Sequence, residues 1–125
     1  MEPRYRVLAL DDSELVHAKL RMLFRSEPRV ELVCTAKWTD VVESCRSQRP
    51  PDLLILELDM PGVRGEIVGM GVRSESELIP IVIFSSEADS RLEIAARTIG
   101  ARAAVAKSEG ERLVSKVMEL LGESC

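Results

Sequence analysis

The stretch Asp52-Leu-Leu-Ile-Leu-Glu-Leu58 is the most apolar strand-like segment of the chain, and it decides the fold class. Pro50-Pro51 precede it and Met60-Pro61-Gly62 follow it, so the run is short and bounded by residues that favour turns. A nearly continuous apolar strand is typical of a parallel sheet, because helices cover both faces of such a sheet. The stretch therefore predicts a parallel sheet buried between two layers of helices.

Strand-like and helix-like apolar patterns alternate along the rest of the chain. Short apolar runs predict four more strands, at residues 6–10, 30–35, 80–85 and 101–106. Apolar residues at helical spacing predict five helices, at residues 14–26, 39–48, 65–74, 89–99 and 110–122. Five strands alternating with five helices favour a flavodoxin-like (βα)5 three-layer α/β sandwich with the strand order 2-1-3-4-5. We expect residues 1–125 to form this single domain.

The composition limits the classes of function. The chain has 125 residues and a net charge of -4, and this mild acidity disfavours non-specific nucleic-acid binding. No apolar run approaches the roughly 20 residues of a membrane span, and the start, MEPRYRVLALDD, is unlike a secretory signal. We therefore expect a cytoplasmic protein with no membrane contact. Cys34, Cys45 and Cys125 have no CxxC spacing, so free thiols are expected in a reducing compartment.

Five polar residues follow or end the predicted strands: Asp11, Asp12, Glu57, Ser85 and Lys107. In a sheet of order 2-1-3-4-5 these carboxyl ends meet beside the switch point between strands 1 and 3, where ligands bind. Carboxylates about 4 Å apart repel each other, and a hard cation such as Mg²⁺ or the lysine ammonium would compensate their charge. Two aspartates alone would be interpreted as caps of the first helix. Three acids and one lysine on one sheet edge favour an ion site instead.

Four segments resemble, in order and at family spacing, the receiver domains of two-component response regulators. Val7-Leu-Ala-Leu-Asp-Asp-Ser13 resembles the family's first strand and acidic pair, and Pro51-Asp-Leu-Leu-Ile-Leu-Glu-Leu-Asp-Met-Pro-Gly62 resembles its third strand and Met-Pro-Gly loop. Ile79-Pro-Ile-Val-Ile-Phe-Ser-Ser-Glu87 resembles the fourth strand, which ends in the hydroxyl switch residue. Gly100-Ala-Arg-Ala-Ala-Val-Ala-Lys-Ser108 resembles the fifth strand and the family's lysine. The resemblance covers almost the whole chain and is to single-domain receivers of the chemotaxis type.

The resemblance implies a role for each polar residue at the strand ends. Asp11 and Asp12 would hold Mg²⁺, together with the acid at position 57 and the backbone of Asp59. Ser85 would contact a phosphoryl group and Lys107 would pair with it. No other cofactor is implied. The resemblance also implies a signal-transduction domain and not an enzyme, apart from the receiver's own phosphorylation and dephosphorylation.

The resemblance further implies a protein partner, either a histidine kinase or a downstream effector. By analogy with the family, the partner would contact the face made by the fourth helix, the fifth strand and the fifth helix. Arg91, Ile94 and Thr98 are predicted on the outer side of that fourth helix, with Ile94 as an exposed apolar contact.

Two residues depart from the family pattern. The phospho-acceptor aspartate of the family lies four residues before the loop proline. In this chain the residue four before Pro61 is Glu57. An engineered aspartate-to-glutamate change would give the same sequence. Glutamate is one methylene longer, brings one charge where a phosphoryl group brings nearly two, and is misplaced for in-line attack on a phosphodonor. Ala104 replaces the large residue that moves with the hydroxyl residue. These departures favour a degenerate receiver that binds proteins independently of phosphorylation.

Two other functions are weighed against this interpretation. A working receiver would accept a phosphoryl group at another acid, with Mg²⁺, and Asp59 is the candidate because it shares the strand face of Glu57. A flavin binder needs free N–H groups after the first strand, whereas Asp11 and Asp12 would repel the flavin phosphate.

The single histidine, His17, shares a helix face with Arg21, which predicts a solvated side chain.

Overall fold

A computed structural model describes residues 4–87 and 89–123 of the chain. It confirms a five-stranded parallel sheet with the order β2-β1-β3-β6-β7. The strands of this sheet are β1 (Tyr5–Leu10), β2 (Val30–Thr35), β3 (Leu53–Leu56), β6 (Ile81–Ser85) and β7 (Ala103–Ala106). A separate antiparallel hairpin contains β4 (Asp59–Met60) and β5 (Val63–Arg64). Because the hairpin lies outside the sheet, the order is the predicted 2-1-3-4-5.

The helices also follow the predicted pattern. They are α1 (Glu14–Leu23), which continues as a 3-10 turn (Phe24–Ser26), α2 (Trp38–Arg46), α3 (Gly65–Glu75), α4 (Asp89–Ile99) and α5 (Gly110–Glu123). Each helix of the described residues is too short or too polar to span a membrane.

The third strand is shorter than predicted. It ends at Leu56, although the apolar run continues to Leu58. The N–H of Glu57 still donates to the carbonyl of Leu10 in the neighbouring strand (3.1 Å). The next two N–H groups, of Leu58 and Asp59, donate instead to the carboxylate of Glu57, so the ladder stops there.

Two apolar clusters, one on each face of the sheet, form the core. One contains side chains from α2, α3 and α4, including Val41, Val72 and Leu92. The other contains side chains from α1 and α5, including Leu20 and Leu113. The sheet is therefore covered on both faces, as its apolar third strand predicted.

The cysteines of the described residues are free thiols, as predicted. Cys34 and Cys45 are half-buried, and burial raises the pKa of both thiols, so each is less reactive than a free cysteine. Cys125 lies outside the described residues.

The strand register brings the carboxyl ends of four strands to one edge. Leu10 is paired with Leu56, so Asp11 and Glu57 follow paired residues. Ser85 is paired with Ala106, and the N–H of Lys107 donates to the carbonyl of Ser85 (3.1 Å). The predicted polar residues therefore lie at the same end of the sheet.

Candidate functional site

Two buried carboxylates share one ammonium group at this edge. Lys107 Nζ lies 2.7 Å from Asp11 Oδ2 and 2.7 Å from Glu57 Oε1. The side chains of Asp11 and Glu57 are 4% and 5% exposed, whereas that of Lys107 is 21% exposed. We call these three residues the Lys107 cluster. One positive charge thus serves two acids that are almost excluded from water.

The ammonium of Lys107 is strongly held in its charged form. Burial of the ammonium works against the charge, but hydrogen bonds to Asp11 and Glu57, and the charges of these carboxylates, outweigh it. Together they raise the pKa of Lys107 above its ordinary value. Lys107 is therefore a cation in the folded protein throughout the physiological pH range.

The backbone around Asp11 fixes the position of its carboxylate. Asp11 Oδ1 accepts a hydrogen bond from the N–H of Ser13 (2.9 Å), and the Asp11 N–H donates to the carbonyl of Thr35 (3.0 Å). Ser13 also caps α1, because its hydroxyl accepts from the N–H of Val16. One oxygen of Asp11 therefore faces the β1–α1 turn and the other faces Lys107.

His17 is part of this arrangement, so the prediction of a solvated histidine is wrong. Its side chain is buried, and His17 Nε2 lies 2.6 Å from the carbonyl oxygen of Asp11. A carbonyl oxygen can only accept, so Nε2 carries the proton and donates it. The sequence did contain a signal, because His17 precedes the core residues Leu20 and Phe24 by three and seven positions, which places it on the apolar face of α1.

The backbone around Glu57 engages the second carboxylate oxygen. Glu57 Oε2 accepts hydrogen bonds from the N–H groups of Leu58 (2.6 Å) and Asp59 (3.3 Å). The chain returns past this point at Gly65, whose N–H donates to the carbonyl of Leu58 (2.8 Å). A Cβ atom on Gly65 would lie 2.4 Å from the carbonyl oxygen of Glu57, so only glycine fits there.

Ser85 lies beside the Lys107 cluster, and Ala104 lies in β7, three residues before Lys107. Ser85 is fully buried, and its hydroxyl oxygen accepts a hydrogen bond from the N–H of Glu87 (3.3 Å). Ala104 is partly buried against the core. The carbonyl of Lys107 accepts a hydrogen bond from Lys19 Nζ (2.8 Å), which connects α1 to the end of β7.

Asp12 and Asp59 are not drawn into the Lys107 cluster. Both residues are exposed. Asp59 begins the hairpin, where it is paired with Arg64. The predicted site residues therefore separate into a buried group around Lys107 and two acids at its solvent side.

The predicted partner-contact residues of α4 differ in exposure. Ile94 is 63% exposed, and Thr98 is exposed with its hydroxyl donating to the carbonyl of Ile94. Arg91 departs from the prediction, because its guanidinium turns towards α3 and contacts Glu66 and Glu87. It is 29% exposed because these ion pairs hold it between the two helices.

Sequence comparison with known protein families assigns the chain. Residues 7–118 match the family described as the response regulator receiver domain. The chain belongs to this receiver family. As a receiver it is a domain of two-component signalling, a class of domains that interact with histidine kinases and effectors.

Curated relatives of the receiver are longer proteins. A protein-glutamate methylesterase/protein-glutamine glutaminase of Cereibacter sphaeroides is 33% identical over 82% of this chain and 28% of its own length. One from Halalkalibacterium halodurans is 32% identical over 98% of this chain and 36% of its own length. A glycerol metabolism activator of Pseudomonas putida is 28% identical over 92% of this chain and 52% of its own length. The receiver thus spans 28% to 52% of the length of these relatives.

Solved structures share the fold. The signal receiver domain of a Luxo repressor protein from Vibrio parahaemolyticus superposes with a TM-score of 0.85 at 22% identity, covering 96% of this chain and 92% of that chain. The receiver domain of the Francisella response regulator 1452 superposes with a TM-score of 0.84 at 15% identity, covering 97% and 99% of the two chains. These similarities establish the flavodoxin-like receiver fold.

Receiver domains typically bind Mg²⁺ at the phosphorylation site, but the acids of this receiver are not arranged for the ion. Among the described residues, no three His, Cys, Asp or Glu side chains come together as a metal-binding group. The inward oxygens of Asp11 and Glu57 both contact Lys107 Nζ, which occupies the position between them. Mg²⁺ prefers nearly ideal octahedral oxygen coordination, and the arrangement as it stands does not fit it.

Proposed function

We propose that this receiver is a protein-interaction module that works without phosphorylation. The observation that carries the proposal is the contact of Lys107 Nζ with both Asp11 Oδ2 and Glu57 Oε1, each at 2.7 Å. These are the residues that the family resemblance assigns to the phosphoryl group, the metal and the acceptor position. In this chain they bind one another.

Glu57 is a poor acceptor because both of its oxygens are engaged. Oε1 contacts Lys107, and Oε2 accepts from the N–H groups of Leu58 and Asp59. Attack on a phosphodonor requires an oxygen that faces the donor in line, with the reacting atoms about 3 to 3.5 Å apart. Breaking the contact with Lys107 would leave buried charges unpaired, which costs about 3 kcal/mol or more.

Lys107 takes the place of a metal ion in this proposal. A buried pair of carboxylates needs a compensating cation, and the lysine supplies one from within the chain. Ala104 supports a single state as well, since its methyl group cannot make the inward swing of a large side chain. The receiver would therefore present one surface constantly.

We propose a protein as the partner, bound on the face made by α4, β7 and α5, with a histidine kinase or a downstream effector as the class. The exposed side chain of Ile94 supports this choice, since an apolar side chain that is 63% exposed is a suitable contact. The methylesterase and glutaminase activities named for the relatives are not proposed for this chain, which spans 28% to 36% of the length of the two quoted above.

One observation favours the second candidate function, a working receiver that is phosphorylated on Asp59. Asp59 is exposed, and its N–H donates to the carboxylate of Glu57 (3.3 Å), so it lies at the solvent side of the Lys107 cluster. Its carboxylate is accessible to a phosphodonor where that of Glu57 is not.

Acetyl phosphate labelling with Mg²⁺, followed by intact-protein mass spectrometry, tests the two candidates. We expect no phosphoryl adduct on the wild-type chain, and partial labelling of Glu57→Asp, whose shorter side chain withdraws from Lys107. An adduct on the wild type that disappears in Asp59→Asn would establish the second candidate. An adduct that persists in Asp59→Asn would also contradict phosphorylation-independent action. Asp52→Asn, at an exposed acid outside the site, is the matched control.

A further inference from the structure

One arginine connects the segments that follow β3 and β6, close to Glu57 and Ser85. Arg91 is the third residue of α4. Its Nη1 donates to Glu87 Oε1 (2.6 Å), and its Nη2 lies 3.4 Å from Glu66 Oε1 and 3.5 Å from Glu66 Oε2. Glu66 belongs to the first turn of α3, whereas Glu87 lies between β6 and α4. The guanidinium therefore connects α4 with the loop directly before it and with α3.

Each of the two acids is anchored close to the Lys107 cluster. Glu66 follows Gly65, whose N–H donates to the carbonyl of Leu58, next to Glu57. The N–H of Glu87 donates to the hydroxyl of Ser85. The first is a backbone–backbone hydrogen bond and the second joins a backbone N–H to a side-chain hydroxyl, so a movement of either acid would also displace the residue beside the cluster.

The side chains that form the Arg91 ion pairs are only partly exposed to water. The side chains of Arg91, Glu66 and Glu87 are 29%, 19% and 29% exposed, so water screens them only in part. Burial works against the charge of the guanidinium, but the hydrogen bond to Glu66 and the charges of the nearby acids outweigh it and raise the pKa of Arg91. Its Nε is buried without a partner among the described residues, so the two outer nitrogens carry the interaction.

We infer that Arg91 is a positioning residue that fixes α4 against α3 and couples the orientation of α4 to the loops beside Glu57 and Ser85. Lysine could not do this equally well, because its single ammonium cannot extend towards two acids on opposite sides as a planar guanidinium does. The consequence for a partner, namely that Ile94 and Thr98 are presented in one orientation, rests on the proposed function. The coupling itself does not.

Amide hydrogen exchange tests the inference on the intact chain. In Arg91→Met we expect the amides of α4 to exchange about tenfold faster than in the wild type, and in Glu66→Gln about threefold faster, because a half-buried ion pair is lost. Arg97→Met, at an exposed position in the last turn of the same helix, is the matched control and should stay within twofold. The double variant Arg91→Met/Glu66→Gln should exchange no faster than Arg91→Met.

Backbone amide chemical shifts separate positioning from simple helix stabilisation. The signals of Gly65 and Ser85 should move in Arg91→Met and stay in place in Arg97→Met. Exchange in α4 that matches the Arg97→Met control, or unmoved signals at both reporters, overturns the inference. If Arg91→Met does not fold, Arg91→Lys and Glu66→Gln decide in the same way. Phosphoryl uptake enters neither measurement, so this test and that of the proposed function fail independently.

Discussion

At the scale of single residues, Lys107 supplies the positive charge that compensates the buried acids of the site. Two carboxylates that are almost fully buried depend on its ammonium for a compensating charge. Removing one partner of such a pair is far more damaging than the pair's net contribution would suggest, because the remaining charges stay buried and unpaired. The cluster therefore behaves as a unit.

Lys107→Met should destabilise the fold by about 3 kcal/mol at neutral pH. The folded-state pKa of Lys107 is raised, so its stabilising contribution is complete below the ordinary lysine pKa of 10.5 and is lost as pH rises through the folded value. The stability difference between the wild type and the variant should therefore shrink above about pH 10.5. Urea denaturation at a series of pH values measures it.

The matched control for this substitution is Lys116→Met. Lys116 forms a more exposed ion pair with Glu119 on α5, and such pairs contribute about 0 to 1 kcal/mol. A loss in Lys107→Met no larger than in Lys116→Met, or a difference that does not change at high pH, would contradict the account of the Lys107 cluster.

The sequence predicted for a physical reason that three of the site residues come together, whereas their roles stay predictions. Asp11, Glu57 and Lys107 come together because residues that follow adjacent parallel strands share an edge, and strand order fixes which ones do. Asp12 stays outside the cluster because the chain turns into α1 directly after it, and the direction of a side chain in a turn is not encoded by strand periodicity. The direction of the Arg91 side chain was not predicted for a similar reason, because helical spacing does not indicate which neighbouring helix contributes acidic residues.

At the scale of secondary-structure elements, α3 contains two glycines with opposite surroundings. A Cβ on Gly69 would lie 2.8 to 3.0 Å from three atoms of Ile99, a buried residue of α4. A Cβ on Gly71 would have no neighbouring atom within 4 Å. Glycine lowers helix propensity at both positions, but the structure gives Gly69 a packing role against Ile99.

Alanine at these two positions should have opposite effects on stability. Gly69→Ala overpacks the α3–α4 contact and should destabilise the fold by about 1 to 2 kcal/mol. Gly71→Ala restricts the unfolded chain without a clash and should stabilise it by about 0.5 to 1 kcal/mol. Thermal unfolding of the two variants measures both changes in stability. Changes of the same sign would show that Gly69 does not pack tightly against Ile99.

The guanidinium of Arg73 closes the carboxyl end of α4. It donates to the carbonyls of Ile99 (3.0 Å), Gly100 (3.1 Å), Ile79 (2.7 Å) and Ser76 (3.2 Å). Gly100 has a φ of +64°, which lets the chain reverse there while the Ala101 N–H bonds back to Ala96. Burial lowers the pKa of Arg73, which marks the contacts as partly withdrawn from water.

Arg73→Lys should destabilise the fold by about 2 kcal/mol, because lysine keeps the charge but cannot donate to four carbonyls in a plane. Urea denaturation is the measurement, and Arg97→Lys, an exposed change on the neighbouring helix, is the control. Equal midpoints for Arg73→Lys and the wild type would mean that hydrogen bonds from water replace those from Arg73 to the four carbonyls without loss of stability.

The β4–β5 hairpin shows where periodicity fails as a predictor of elements. Each of its strands has two residues, which is shorter than any alternating pattern can reveal, and Gly62 turns between them with a φ of +78°. The Met60-Pro61-Gly62 turn was predicted, but its pairing of Asp59 with Arg64 was not. Longer elements were predicted because their burial repeats over several residues.

At the scale of the whole molecule, the fold followed from the alternation of five apolar runs with five amphipathic segments. Parallel strands require crossovers, and the crossovers are right-handed, which leaves few topologies. Strand order and handedness predict which residues lie at this edge of the sheet. They do not predict which charged side chains pair there, and the state of the site depends on that pairing. The division into a single domain over residues 1–125, and the cytoplasmic location, stay predictions.

The effect of Mg²⁺ on global stability shows which cation compensates the charges of the buried acids. A ligand that binds the folded state alone raises stability with its concentration. Because Lys107 occupies the space between Asp11 and Glu57, millimolar Mg²⁺ should leave the thermal midpoint of the wild type unchanged. Lys107→Met frees two inward carboxylates, so the same titration should raise its midpoint by a few degrees, whereas Lys116→Met should respond like the wild type. A midpoint that rises equally in all three proteins would mean that Mg²⁺ binds elsewhere or beside the lysine, and that Lys107 does not replace it.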